Sequence, residues 1–248
     1  MARVIAVFNQ AGGVGKTTLV RDVGYALKLA GKKVLLVDAD QQGTLTAFCG
    51  YEPSELQETL FNAIVQGKKP VLLEAWGMSL IPSNIDLAAA EMLLIAEFAR
   101  EYKLKKVLEP FQYFDYILID SPPSLGQLSI NVLAASDDVL IPIQTEFKAM
   151  KGTQALFDTI DRVRLEINKR LGIAGVVPTM LNRSISQHMR MYETLKNQLG
   201  EQMKVFEPVR RGIAFAEAGE HAKPIQEYQP KFEGIEDIQK IAAELLNG

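Results

Sequence analysis

One junction limits this chain more than any other stretch. The apolar, β-branched run ARVIAVF (residues 2–8) passes directly into NQAGGVGKTT (residues 9–18), and a helical pattern starts at Thr17. A strand feeding a glycine-rich loop and then a helix can turn backbone N–H groups toward phosphates at the positive end of the helix. In the common form of such a loop a glycine stands six residues before the lysine; here Gln10 occupies that place, and the glycines fall at 12, 13 and 15. The loop is therefore a variant. Its candidate nucleotide contacts are Gly12, Gly13, Val14, Gly15, Lys16, Thr17 and Thr18. Lys16 is placed to reach the β- and γ-phosphates, and the Thr17 hydroxyl to bind Mg²⁺.

The rest of the chain alternates short β-branched runs with longer amphipathic ones. Strands are expected at Val4–Phe8, Lys33–Asp38, Met78–Pro82, Tyr116–Asp120, Asp138–Ile143 and Ile173–Met180, with a short piece near Val205. Helices are expected at Thr17–Ala30, Leu87–Arg100, Gln127–Ala135, Gly152–Leu171, Gln187–Leu199 and Gly234–Leu246. Such apolar strands separated by helices imply an α/β fold: a mostly parallel twisted sheet with helices on both faces. No linker, repeat or low-complexity segment interrupts it, so one domain spanning 1–248 is expected. Right-handed crossovers bring the carboxyl ends of the strands to one edge, where ligands collect.

That edge receives three acids. The second strand ends in LLVDADQQG, which brings Asp38 and Asp40, and the run YILIDSPPS ends in Asp120. Asp120 is the candidate for holding the Mg²⁺ shell through water. Asp38 is assigned to loop support and the metal shell, and Asp40, which opens a loop, to orienting the attacking water. Lys16, Asp38 and Asp40 belong to the candidate catalytic set, and Asp120 joins Thr17 and Asp38 as a candidate metal residue.

Composition excludes several classes. Cys49 is the single cysteine, so internal disulfides and clusters built on several thiols of one chain are out. No run of 18 apolar residues is present, and the first residues lack the zones of a signal peptide, so a cytoplasmic location without membrane attachment is expected. The net charge of −3 is segregated: residues 162–211 hold ten Lys/Arg against four Glu, and residues 212–248 hold seven acids against three lysines. A basic block in an acidic chain points to a polyanion.

Taken in order, GGVGKTT, VDADQQGTLT, YILIDSPPSLG, DDVLIPIQTEF and EAGEHAKPI resemble the ParA/MinD family of P-loop ATPases nearly end to end. The family loop reads x-K-G-G-x-G-K-[ST]. The resemblance implies ATP and Mg²⁺ as ligands, and homodimers closed face to face around two ATP molecules. In those dimers the lysine before the paired glycines crosses to the partner's phosphates. Here that position is Ala11. A cation supplied in trans is worth roughly 10³–10⁵ in rate, about 4–7 kcal/mol, so a substitute is expected. Lys151 is the first candidate and Lys148 the second, in the loop TEFKAMKGT after the fifth long strand.

The same resemblance places Asn182 at the adenine edge, with Pro208 packing on the base. It implies DNA binding without sequence preference through Arg183, Arg190, Lys196, Arg210 and Arg211; Ala214 stands where many relatives carry arginine. It also implies a cargo adaptor that stimulates hydrolysis, and a nucleoid-associated location. Loss of the first lysine is similar to the McdA-type carboxysome-positioning ATPases. Two alternatives stay open: a plasmid or chromosome partition ATPase, and a MinD-like protein docked on membranes. The tail FEGIEDIQKIAAELLNG is acidic on its polar face, unlike a basic membrane helix. No DNA-reading extension precedes the first strand, which argues against operator recognition.

Overall fold

The structure, a computed structural model, describes residues 1–247, apart from the side chains of residues 147–151. Seven strands form one sheet: β1 (Arg3–Val7), β2 (Val34–Asp38), β3 (Leu73–Ala75), β4 (Met78–Ile81), β5 (Tyr116–Asp120), β6 (Asp138–Gln144) and β7 (Gly172–Thr179). Their order is β3-β4-β2-β5-β1-β6-β7, parallel throughout except for the β3–β4 hairpin at one edge. This is the α/β fold that the sequence pattern implies. In the central register Val7 pairs with Asp120 and Asp38 with Asp120, so the phosphate loop and two of the acids leave the same edge side by side.

Alternation along each strand divides the core in two. Val4, Ala6 and Phe8 of the first strand join Leu35, Val37, Ile117 and Ile119 on one face. Ile5 and Val7 join Leu36 and Leu118 on the other. The first face is covered by helices that include Leu87–Leu93, Lys103–Leu108, Gln127–Ala135 and Phe147–Glu166; the second by Lys16–Leu29, Ile213–Glu220 and Gly234–Leu246. The last of these, the acidic tail, lays Ile238, Ile241 and Leu245 into the same cluster as Leu19, Val23 and Leu27 of the first helix. The first helix also runs close over β2: a Cβ added at Gly24 would stand 2.8 Å from Leu36.

Several expected boundaries move. Leu87–Arg100 is not one helix, because the α-helix ends at Leu93 and gives way to 3₁₀ turns at Leu94–Ala96 and Arg100–Tyr102. The long helix spans Phe147–Glu166 rather than Gly152–Leu171. It stops early because the Asn168 side chain donates to the carbonyls of Leu133 and Ser136, and Arg164 donates to that of Leu171. Val205 makes only an isolated bridge to Val176. The edge strand β3 and the helices Thr44–Phe48, Leu60–Gln66, Lys103–Leu108 and Ile213–Glu220 were not anticipated. Among the described residues no helix is long and apolar enough to cross a membrane.

A candidate nucleotide site at the carboxyl edge

The phosphate loop bridges β1 and the helix Lys16–Leu29. Gly13 (φ +70°) and Gly15 (φ +92°) sit in the left-handed region, which a side chain would strain. Two neighbouring strands grip the loop from outside. Gln144 Nε2, at the end of β6, donates to the Gly13 carbonyl at 2.8 Å, and Thr179 Oγ1, at the end of β7, donates to the Val14 carbonyl at 3.0 Å. Because a trans peptide opposes its C=O and N–H, holding these two carbonyls outward turns the amides of Val14 and Gly15 the other way. Lys16 is buried, and its Nζ donates to the carbonyls of Asn9 and Ala11, both at 3.0 Å. Burial lowers its pKa, with Asp120 and Asp40 opposing that shift.

Thr17 Oγ1 donates to Asp120 Oδ2 at 2.7 Å. Asp120 is fully buried and its Oδ1 has no partner among the described residues. Burial, then the neighbouring Asp38, raise its pKa well above the usual range, against Thr17 and Lys16. A hydroxyl and an orphaned buried carboxylate oxygen make a donor set that suits Mg²⁺ bound through water. The sequence assigns Asp38 both to that shell and to loop support, and the contacts in the structure are those of loop support. Its Oδ2 accepts from the Thr46 amide at 2.8 Å and hydroxyl at 2.7 Å, and its Oδ1 from the Asp40 amide at 3.2 Å. Burial pushes it up to about 7. Asp38 thus supports the following loop rather than facing the metal. Asp40 opens a turn in which its side chain accepts from Gln42 N and its carbonyl from Gly43 N.

Beside the loop lies a cavity of about 430 Å³ lined by Gly15, Thr18, Phe48, Met180, Ile213 and Phe215, among others. Neither Asn182 nor Pro208 lines it. Pro208 is buried next to Val209, which does, and Asn182 lies in an adjoining, more open cavity with Arg183 and Arg211. Asn182 Oδ1 accepts from Ser184 N, and the Asn182 backbone N–H donates to His188 Nδ1. Of the expected DNA residues, Arg183, Arg190, Lys196 and Arg211 are exposed. Arg210 departs from expectation: it donates to both oxygens of Asp237 and to Glu233, so its charge is already matched.

Lys148 and Lys151 fall inside the first turns of Phe147–Glu166 rather than in a loop, and their side chains lie outside the described residues. A cavity of about 340 Å³ opens between Ala11 and that helix, where Gln10 Nε2 donates to Thr159 Oγ1 at 3.0 Å. Sequence reasoning also gave no role to Gln144, Thr179 and Thr46, although Thr46 and Gln144 lie in segments that resemble the family.

Several known proteins are similar to this chain along nearly its whole length. The AAA domain family matches residues 2–173. The sporulation initiation inhibitor protein Soj of Bacillus subtilis is 39% identical over 99% of this chain and 98% of its own length. The chain belongs to the ParA/MinD family of P-loop ATPases. The chromosome partitioning protein ParA of Caulobacter vibrioides is 37% identical over 99% of this chain and 94% of its own. Among ParA/MinD-like folds, a Mycobacterium smegmatis structure described as cobyrinic acid a,c-diamide synthase with ADP and magnesium superposes with TM-score 0.88. It is 34% identical and the match covers 100% of this chain and 95% of that one. The Cyanothece McdA–ATP complex gives TM-score 0.86 at 25% identity, over 99% and 95%. Magnesium with ADP or an ATP analogue, and ATP itself, are thus carried by homologous structures of this ParA/MinD-type fold.

Proposed function

We propose that residues 1–248 act as one ATPase domain that dimerises on binding ATP, holds DNA in that state, and releases it on hydrolysis. The observation that carries the nucleotide-binding part of this reading is the Thr17–Asp120 pair with its orphaned Asp120 Oδ1, beside a Lys16 folded back on loop carbonyls; the dimer and DNA parts rest on the family resemblance. Lys16 exchanges those carbonyls for phosphate oxygens, and the amides of Val14 and Gly15 complete the cradle. Thr17 and Asp120 hold the metal shell; bound Mg²⁺ supplies neutralising charge to the β- and γ-phosphates. Asp40 orients water from the head of its turn, and Asp38 fixes that turn through Thr46. Thr18 and the neighbouring cavity receive the nucleoside, with Asn182 and Pro208 at its margin.

Lys151, or Lys148 in its place, supplies across the dimer the cation that Ala11 cannot. Arg183, Arg190, Lys196 and Arg211 contact DNA phosphates, which demand charge and reach rather than a fixed motif. The protein then works in the cytoplasm on the nucleoid, without membrane attachment, and positions a cargo through an adaptor that stimulates hydrolysis. The missing first lysine favours carboxysomes as cargo. The 39% and 37% identity to Soj and ParA favours a second reading, partition of a chromosome or plasmid.

Sedimentation in ATP and Mg²⁺, with turnover blocked by Asp40→Ala, tests the central claim. Dimers are expected, and Lys151→Ala in that background returns them to monomers that still bind ATP. A monomer in the Asp40→Ala protein refutes the scheme. Localising a fluorescent fusion with carboxysomes or with the chromosome origin separates the two cargo readings.

A further inference from the structure

After the helix Leu87–Leu93, the segment 92–109 displays apolar side chains without covering them. Met92, Ile95 and Phe98 are 75%, 60% and 94% exposed. This is not a slack loop. Buried Asn131 grips it from below, donating to the Arg100 carbonyl at 2.8 Å and accepting from the Leu104 amide at 3.1 Å. Tyr102 is tied to the Ile167 carbonyl at 3.0 Å. Directly after Phe98, Ala99 holds φ +50°, a left-handed conformation that a residue with a Cβ resists. A fixed, strained backbone that points an aromatic ring at solvent is a feature more common at binding sites than elsewhere.

Two grooves flank the short helix Lys103–Leu108 beside that ring. One, of about 520 Å³, is lined by Phe98, Tyr102, Lys103, Lys105, Lys106 and Glu109, together with Ala99. The other, of about 500 Å³, has Lys68, Lys69, Lys103 and Lys106 at its walls over Ala63, Ile64, Val65 and Val107, and no carboxylate. Lys103 and Lys68 have partners in Glu97 (2.8 Å) and Glu58 (3.5 Å); Lys69, Lys105 and Lys106 are exposed. In a chain of net charge −3 this is a local positive island with an apolar floor.

We propose that these grooves dock an acidic protein segment that carries an aromatic or apolar anchor. Charge complementarity selects the sign of the partner. The concave apolar floors select a peptide over nucleic acid, because a phosphate backbone has nothing to bury there. They also select it over a lipid surface, which is flat. Phe98 is the anchor, carried on a backbone segment already tied down by Asn131 and Tyr102, so little chain ordering is left to cost affinity.

The test uses the full chain and fluorescence anisotropy with two labelled probes, a random glutamate–tyrosine copolymer and plain polyglutamate. The copolymer should bind more tightly than polyglutamate. Lys105→Glu/Lys106→Glu should weaken both, and Phe98→Ser should weaken the copolymer by about thirtyfold, the loss expected of an interface hot spot. Both variants should keep wild-type thermal unfolding and ATP turnover. Equal binding of the two probes, or no effect of Phe98→Ser, overturns the proposal. So does loss of short duplex DNA or of phosphatidylserine vesicles from the Lys105→Glu/Lys106→Glu protein, which would give this face to nucleic acid or to membrane.

Discussion

Replacing Asp38 by asparagine should abolish the pH dependence of this position's contribution to stability. Burial lifts this carboxyl from 3.8 to about 7. Between those values the folded state keeps a proton that the unfolded state has released, so stability falls as pH climbs through the window and levels above it. About three units at 1.36 kcal/mol each give a loss of about 4 kcal/mol by neutral pH. Asp120 lies beside it in register and is raised by the same burial, so the two carboxyls titrate as a pair and share the observed steps. In Asp38→Asn the amide oxygen still accepts both Thr46 donors, but its NH₂ meets the Asp40 amide, which costs about 1–3 kcal/mol at every pH. The wild type should therefore be the more stable at pH 5 and lose that lead by pH 8, a swing of about 3 kcal/mol. Urea denaturation from pH 5 to 8, without nucleotide or Mg²⁺, measures it. A wild type–variant difference constant to within about 0.5 kcal/mol, the ordinary scale of surface substitutions, refutes the burial argument.

Asp120→Asn should weaken Mg²⁺ binding in the nucleotide complex by about 10–100-fold, read by calorimetric titration. Gly24→Val drives a branched side chain against Leu36 and should cost about 1–3 kcal/mol, seen as a lowered midpoint in thermal unfolding. Arg183→Ala should reduce the slope of log affinity for duplex DNA against log salt by about one. Arg210→Ala should leave that slope unchanged and destabilise the fold, because Arg210 is spent on Asp237 and Glu233.

How much of this was legible depended on whether a residue's job is local. Lys16, Thr17 and Asp120 stand where strand-end logic puts them, because a parallel sheet fixes its carboxyl edge and the sequence marks each strand by its apolar run. Helices longer than nine residues were found, with boundaries a few residues out. The short helices Thr44–Phe48 and Lys103–Leu108 carry too few turns to show a period, and β3 exists only as the return of a hairpin. Asp38 was given a place in the metal shell, and Arg210 one on DNA, because sequence gives charge without partners. Thr46 is eight residues from Asp38 and Asp237 is 27 from Arg210, and only folding reveals that each pair is closed.

One buried ion pair explains how the first helix is held in register. Arg21 and Asp22 are wholly inaccessible to solvent and bond each other at 2.7 and 2.9 Å. A desolvated pair of this kind adds little net stability over apolar side chains of the same size. Its bonds are directional, however, and they reach three separated parts of the chain. Arg21 donates to the Phe215 carbonyl and lies 5.2 Å from the Phe48 ring, and Asp22 accepts from the Ile225 amide. Apolar contacts alone would let the helix slide along β2 by fractions of a turn. Phosphate chemistry cannot tolerate that, since the amides after Gly13 must meet oxygens at hydrogen-bond distance. With Gln144 and Thr179 gripping the loop and Arg21–Asp22 fixing the helix behind it, the position of Lys16 is set from both sides.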